Sequence, residues 1–231
     1  MRLLRIIAYW LDHSPLARLW QLAKWRVKYL IGRVPDFATQ IRQPHRLILR
    51  DIVLGLKPAS VLEIGCGMGP NLFLLWQADH GLTLTGMDPS RVAIDGAGAE
   101  MRQREASSIG LEVGAADQLC CLPDSSADVV LADAVLMYIP PDLIAKTLAE
   151  MLRVSRFGVV LSTWHFDGSV DKGPEAVQTV HYDEETWVYD YRRLLATTPA
   201  IKVEISPYPA DVWRDKRWNR YGAIVMIQHD R

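Results

Sequence analysis

The chain has 231 residues, 49% of them hydrophobic and 23% charged, and its formal net charge at pH 7 is −1. The length fits one sizeable domain with room for an appendage, and the apolar fraction excludes a disordered chain. Three cysteines are too few for a disulfide scaffold, and no stretch of about 18 residues is apolar and uncharged enough to span a membrane.

The first 57 residues predict amphipathic helices rich in basic side chains. An apolar turn over Leu3–Leu11 is separated by Ser14-Pro15 from a helix that runs to Ile31. The apolar run Ile6–Leu11 is too short for a secretion signal, so a cytosolic protein is expected. Another amphipathic helix is predicted over His45–Leu56 and leads into the first strand.

From Ser60 onward, apolar runs of strand length alternate with helical patterns. The predicted strands are Val61–Ile64, Leu82–Met87, Leu111–Ala115, Asp128–Val135 and Phe157–Thr163. The predicted helices are Leu72–Ala78, a helix capped by Ser90 that runs to about Ser108, and Pro141–Val154. Strands that alternate with helices indicate a parallel sheet covered by helices on both faces.

The last quarter of the chain has a different pattern. Glu185–Thr198 is predicted as a helix, and Ile201–Ser206 and Tyr221–His229 alternate as strands. The aromatic stretch Tyr208–Arg220 between these strands is too long for a tight hairpin turn. The two strands predict an antiparallel pair at the edge of the sheet. We expect an N-terminal helical segment over 1–57 and an α/β domain over 58–231.

A glycine-rich turn follows the first strand and reads Glu63-Ile64-Gly65-Cys66-Gly67-Met68-Gly69-Pro70-Asn71. Its glycines let the backbone approach a ligand closely and present amide N–H groups to an anion. A dinucleotide fingerprint G-x-G-x-x-G that begins at Gly65 would need a glycine where Pro70 stands. Glu63 would also repel a pyrophosphate, so the turn favours a ligand other than a nicotinamide or flavin dinucleotide.

With this turn the chain resembles the class I, Rossmann-like S-adenosylmethionine-dependent methyltransferases, whose first motif is an acid followed by G-x-G-x-G. The resemblance covers the chain from Val61 to His165. It implies a doubly wound, seven-stranded, mostly parallel sheet with an antiparallel C-terminal strand, helices on both faces and extra N-terminal helices. It also implies S-adenosyl-L-methionine as the cofactor and S-adenosyl-L-homocysteine as the product, with the turn Gly65–Gly69 around the methionine part.

Acids at the strand ends extend the resemblance. Asp88 ends strand two, where a carboxylate can accept both ribose hydroxyls. Asp117 follows strand three, where the family accepts a hydrogen bond from the adenine amino group, and Asp133 ends strand four near the methionine end and the acceptor. The cofactor-binding residues implied in this way are Glu63, Gly65, Cys66, Gly67, Gly69, Asn71, Asp88, Pro89, Asp117, Gln118, Leu119 and Asp133.

The segment after strand four favours a small-molecule acceptor. It lacks the Asn/Asp-Pro-Pro-Tyr/Phe tetrapeptide of amino-methylating enzymes and the Pro-Cys nucleophile of cytosine carbon-5 methylation. An oxygen acceptor near neutral pH usually needs its proton removed, and the candidates for this catalytic role are His165, Tyr138 and His181. The adjacent cysteines Cys120-Cys121 have no histidine nearby, so no metal site is expected.

The basic N-terminal segment leaves several interpretations open. Residues 1–50 carry ten basic and two acidic side chains, a net charge of +8, and the rest of the chain carries −9. The helices in 1–57 can cover the cofactor edge of the sheet and the acceptor pocket, as in similar methyltransferases. Alternatively, residues 1–31, with their tryptophans, can contact an anionic membrane surface peripherally. Nucleic acid is disfavoured as a partner because the body of the chain is acidic.

The sequence therefore predicts a methyltransferase that acts on a small organic acceptor, with oxygen favoured over nitrogen or carbon as the methylated atom. Two alternatives remain open at this point. One is a cofactor-binding protein without catalysis, and the other is a membrane-surface methyltransferase with a lipid-linked acceptor.

Overall fold

The structure, a computed structural model, describes residues 36–116, 118–166, 179–183 and 186–230, together with Val27, and for 179–183 it describes the backbone. The predicted helix over Leu16–Ile31, apart from Val27, lies outside the described residues. The same is true of Asp117 and of nearly all of the segment 1–31 considered for membrane contact.

The described chain alternates strands and helices as the sequence predicts. The strands are β1 Ser60–Ile64, β2 Thr83–Asp88, β3 Gly110–Val113, β4 Ala127–Asp133, β5 Ser155–Trp164, β6 Thr179–Asp183, β7 Thr186–Tyr189, β8 Ile201–Pro207 and β9 Gly222–His229. The helices are α1 Phe37–Ile41, α2 Pro44–Gly55, α3 Pro70–Ala78, α4 Arg91–Gln103, α5 Pro141–Val154, α6 Tyr191–Leu195 and α7 Lys216–Tyr221. Single turns of 3₁₀ helix occur at Leu119–Cys121 and Leu136–Tyr138.

Seven of the strands form one sheet in the order β3-β2-β1-β4-β5-β9-β8. The first five strands pair in parallel, and β9 runs antiparallel to both β5 and β8. This confirms the predicted seven-stranded, mostly parallel sheet with an antiparallel C-terminal strand. The strand order reverses between β1 and β4, and ligands of open α/β sheets bind at the carboxyl ends of the strands beside such a point.

Helices cover both faces of the sheet because alternate residues of its central strands are apolar and point to opposite sides. Val61 of β1 and Leu131 of β4 pack in a core built with α1–α4. Leu62 of β1 and Val130 of β4 pack in the opposite core, which is built with α5 and α6. The doubly wound arrangement is therefore confirmed.

Local signals in the sequence place two helix starts correctly. Pro141 begins α5, and Ser90 caps α4 by accepting the backbone N–H of Ala93 at 3.3 Å. The predicted extension of α4 to Ser108 is wrong, since the helix ends at Gln103 and Glu105 has a positive φ of 60°.

The predicted helix over Glu185–Thr198 is also wrong in its first part. Residues Thr186–Tyr189 form β7, whose four side chains are all buried and whose backbone pairs with β6. Threonine, tryptophan, valine and tyrosine are all residue types that favour β-strands. Among the described residues of this range, Tyr191–Leu195 alone forms an α-helix, and Asp190 caps this short helix by accepting the N–H of Arg193 at 3.2 Å.

Helix α2 confirms the predicted helix over His45–Leu56 and packs against the sheet domain. Leu49 and Val53 on its inner face are fully buried in the core with α3. Within the described ranges, no helix combines the length and the apolar character needed to cross a bilayer. Because α2 packs in this way, its first turn lies beside the end of β4. Side chains from both elements meet there and form part of the candidate site.

Candidate functional site

The glycine turn joins β1 to α3 and is held against the end of β2. Gly65, Gly67 and Gly69 have φ values of 70°, 56° and 78°. The amides of Gly65 and Cys66 donate to the carbonyl of Met87 at 2.7 and 3.0 Å. A Cβ at position 65 would lie 2.4 Å from Val135 Cγ2, so only glycine fits there.

Asp88, at the end of β2, ties the glycine turn to the start of α4. Its Oδ2 accepts the backbone N–H of Gly67 at 2.9 Å, and its Oδ1 accepts that of Ser90 at 2.8 Å. Burial raises the pKa of this carboxyl group, and the two amides counteract the rise. Carboxylate oxygens each have more than one acceptor direction, so Asp88 can still receive hydroxyl groups from a ligand.

Three polar side chains form a buried network behind the turn. Asn71 Nδ2, on α3, donates to Glu63 Oε1 at 2.7 Å and to Asp133 Oδ2 at 3.1 Å. Within the described part of the chain, Glu63 Oε2, Asn71 Oδ1 and Asp133 Oδ1 are buried without a hydrogen-bond partner. Buried oxygens of this kind call for an explanation, and a ligand that is not present here is one.

The two carboxyl groups of this network differ in protonation. Burial raises the pKa of Glu63 to about 8, although the hydrogen bond from Asn71 and the charge of Arg46 work in the opposite direction. Burial acts on Asp133 in the same way, but the charges of Arg46 and His45 and the hydrogen bond from His45 outweigh it and lower the pKa of Asp133. Asp133 is therefore an anion at neutral pH, whereas Glu63 is poised to release a proton.

Two residues of α2 that are absent from the predicted site complete the network. Arg46 Nη1 donates to Asp133 Oδ2 at 2.7 Å, and His45 Nε2 lies 3.2 Å from the same oxygen. The His45 ring also stacks on Trp213 with centroids 3.9 Å apart and an interplanar angle of 24°. The sequence feature that could have identified these two residues is a histidine-arginine pair in the first turn of the helix before β1.

The predicted catalytic residues lie in three different places. His165 follows β5, and its Nδ1 lies 3.2 Å from the carbonyl of Tyr189 and 3.4 Å from the amide of Tyr191. Tyr138 ends the 3₁₀ turn after β4 and packs beside Met137. The backbone of His181 lies in β6 opposite Trp187, and its side chain is outside the described residues.

The remaining predicted cofactor residues surround the turn and the end of β3. Pro89 lies between Asp88 and Ser90, and Cys66 is a buried thiol whose pKa is raised by burial. Gln118 Oε1 accepts the amide N–H of Ala115 at 3.0 Å, and Leu119 is fully buried in the core. Asp117 is outside the described residues.

The described side chains include no group of three His, Cys, Asp or Glu residues that could hold a metal ion. Cys120 and Cys121 are exposed free thiols next to Leu119. Their thiols therefore lie on the surface and not in the buried network.

The strand order, the glycine turn after β1 and the carboxylate at the end of β2 together define the class I, Rossmann-like methyltransferase fold. The family model described as a methyltransferase domain matches residues 61–158. This part of the chain is therefore similar to methyltransferase domains, and its fold is that of the class I, S-adenosylmethionine-dependent methyltransferases.

Solved structures with the same fold have low sequence identity to this chain. The 1,6-didemethyltoxoflavin-N1-methyltransferase of Burkholderia thailandensis, with bound 1,6-didemethyltoxoflavin and S-adenosylhomocysteine, superposes with a TM-score of 0.66 at 17% identity and covers 94% of this chain and 90% of that one. The magnesium protoporphyrin IX methyltransferase of Synechocystis, with bound S-adenosylmethionine, gives a TM-score of 0.59 at 16% identity, with 98% and 96% covered. The cyclase SpnF gives 0.56 at 14%, with 74% of each chain covered. No curated protein matches the sequence of this chain.

Proposed function

We propose that this protein transfers the methyl group of S-adenosyl-L-methionine to a small organic acceptor, with oxygen as the favoured atom. One observation carries the proposal: Glu63 Oε2, Asn71 Oδ1 and Asp133 Oδ1 are buried and lack partners among the described residues. All three oxygens accept hydrogen bonds when the two carboxyl groups are ionised, so an ammonium group with its N–H donors is complementary to them. The methionine part of the cofactor carries such a group.

Arg46 supports the same occupant. The methionine part also carries a carboxylate, and a guanidinium binds carboxylates through its planar set of N–H groups. Arg46 is 13% exposed, and its contacts with Asp133 at 2.7 Å and Gln43 at 3.3 Å leave further N–H groups for a ligand. The positive charge of Arg46 therefore lies next to the acceptor oxygens, as a bound amino acid zwitterion requires.

The nucleoside part of the cofactor would extend from the glycine turn toward β3. Asp88 would accept the ribose hydroxyls with the acceptor directions that its two amide contacts leave open. Asp117, Gln118 and Leu119 keep the adenine role that the family resemblance implies.

Bound S-adenosylmethionine supplies an electrophilic methyl group on a sulfonium, so the protein has to align an acceptor and exclude water. Alignment contributes up to ~7–11 kcal/mol in ideal cases. An oxygen acceptor also needs a base, for which His165, Tyr138 and His181 remain the predicted candidates.

The small-molecule acceptor is supported by the similar 1,6-didemethyltoxoflavin-N1-methyltransferase, whose structure contains bound 1,6-didemethyltoxoflavin and S-adenosylhomocysteine. The alternative of cofactor binding without methyl transfer has its own support, because the similar fold of SpnF is described as a cyclase. The membrane-surface alternative depends on residues 1–31 and remains a prediction from their charge and tryptophans.

The deciding experiment supplies methyl-labelled S-adenosylmethionine and a metabolite extract to the purified protein. We expect label in a low-mass product, loss of that product with Asp88→Ala, and its retention with Asp95→Ala, which removes an exposed carboxylate from α4. Cofactor binding without label in any fraction would instead favour the non-catalytic alternative. Label found only in lipid, and only with vesicles present, would favour the membrane-surface alternative.

A further inference from the structure

A second group of buried polar atoms lies beside the cofactor network. Ser162 Oγ, Tyr208 Oη and Trp213 Nε1 are buried and have no hydrogen-bond partner within the described ranges. The hydroxyls of Ser162 and Tyr208 are close enough to influence each other, but their geometry is not that of a hydrogen bond. We call these three residues the donor group, because each of the atoms carries a proton that it can donate.

The fold brings the donor group together at the end of the sheet. Ser162 on β5 is paired in register with Asp133 on β4. Tyr208 directly follows β8, and its ring meets those of His45 and Trp213 edge to face, with centroids 6.4 and 5.7 Å apart. The donor group is therefore next to Asp133, where the methionine end of the cofactor is expected.

The chemistry of the donor group is the opposite of that of the cofactor network. Glu63, Asn71 and Asp133 leave acceptor oxygens open, and these suit a cation. Ser162, Tyr208 and Trp213 leave O–H and N–H groups open, and the indole N–H can only donate. Burial and the negative charge of Asp133 raise the pKa of the Tyr208 hydroxyl and outweigh the opposing charge of Arg46, so this hydroxyl keeps its proton and can donate it.

We propose that the donor group binds an oxygen anion of the methyl acceptor, a carboxylate or a phenolate. An oxygen anion has enough lone pairs to accept from all three residues, whereas an amine could donate to the two hydroxyls only and would bring its N–H groups against the indole N–H of Trp213. The inference deepens the proposed function, because it names the acceptor class for the same site.

Two matched probe pairs test the proposal on the full-length protein saturated with S-adenosylhomocysteine. The pairs are 4-nitrophenol with 4-nitroaniline, and benzoate with benzamide, and calorimetry gives each dissociation constant. We expect the oxygen anion to bind at least about tenfold more tightly than its partner in one or both pairs, which also separates phenolate from carboxylate. Tyr208→Phe and Ser162→Ala should each reduce that preference severalfold, and Trp76→Phe on α3, which removes an indole N–H that is not part of the donor group, should not.

Thermal unfolding of the same variants without ligand provides the second measurement. Because the two hydroxyls have no well-formed hydrogen bond to any described residue, Tyr208→Phe and Ser162→Ala should leave the melting temperature unchanged or raise it. A clear decrease would mean that these hydroxyls make structural hydrogen bonds, and it would overturn the proposal. Equal binding within both pairs, or no binding of either anion, would overturn it as well.

The failure of this inference can be distinguished from the failure of the proposed function. Titration with S-adenosylhomocysteine alone tests the cofactor site, and the donor-group variants leave every residue of that site intact. Normal nucleoside binding without a preference for oxygen anions rejects the donor group only. An absence of nucleoside binding rejects the proposed function, and the probe titrations on the unliganded protein then still test the donor group.

Discussion

Replacing Glu63 with glutamine should stabilise the unliganded protein and impair its cofactor binding. Burial raises the pKa of Glu63 to about 8, compared with an ordinary value of 4.5. Glu63 therefore takes up a proton on folding at any pH between these two values, and glutamine mimics the protonated side chain without that step. Asn71 can donate to the glutamine oxygen as it does to Glu63 Oε1 at 2.7 Å.

The size and sign of the effect follow from proton linkage. Because the folded pKa is raised, the contribution of Glu63 to stability is fully present below pH 4.5 and is lost as the pH rises toward 8. Each pH unit in this window is worth about 1.4 kcal/mol. Glu63→Gln should thus gain about 3 kcal/mol in the free energy of unfolding at pH 7 and almost nothing at pH 4.5.

Urea unfolding at pH 5, 6, 7 and 8 measures this difference, with Glu112→Gln, an exposed substitution on β3, as the control. The stabilisation should grow with pH for Glu63→Gln only. The same variant should bind S-adenosylhomocysteine more than about tenfold more weakly, because the ammonium group loses a charged partner. A destabilised variant, or a stability difference that does not change with pH, would refute the reasoning.

Three further substitutions probe the site. Asp88→Ala should weaken nucleoside binding by more than about tenfold in calorimetry, since the ribose loses a charged acceptor worth ~1.5–3 kcal/mol, and an unchanged dissociation constant would contradict this role. Gly65→Ala should cost more than about 1 kcal/mol in urea unfolding, because its φ is 70° and a Cβ would lie 2.4 Å from Val135, whereas Gly55→Ala meets open space and serves as the control. His165→Ala should reduce the rate of methyl transfer with nearly unchanged cofactor affinity, and full residual activity would exclude a catalytic role for His165.

Much of the fold could be predicted because its signals are local. The apolar runs from Val61 to Thr163, the cap at Ser90 and the proline at Pro141 each determine their own element. The mistake at Glu185–Thr198 has an equally local cause. A four-residue strand next to a five-residue helix has too few residues for its apolar spacing to separate period 2 from period 3.6.

The site residues also fall into those that a local sequence signal predicts and those that depend on tertiary packing. Glu63, Asp88 and Asp133 were predictable because each ends a strand, and parallel strands bring their carboxyl ends to one edge. His45 and Tyr208 reach the same edge from opposite ends of the chain, and only the packing of α2 and the position of β8 bring them together. No short motif in the sequence encodes contacts between residues so far apart. The domain boundary near residue 57 and the roles of Asp117 and residues 1–31 remain predictions.

A calorimetric titration of the unliganded protein with S-adenosylhomocysteine at pH 7, repeated in two buffers of different ionisation enthalpy, tests the cofactor site most directly. We predict saturable binding at one site and a net release of protons, because the ammonium group of the ligand favours the ionised form of a Glu63 whose pKa is about 8. The absence of heat with this nucleoside, together with uptake of a nicotinamide or flavin dinucleotide, would contradict the assignment of Glu63, Asn71 and Asp133 to the ammonium group of the cofactor.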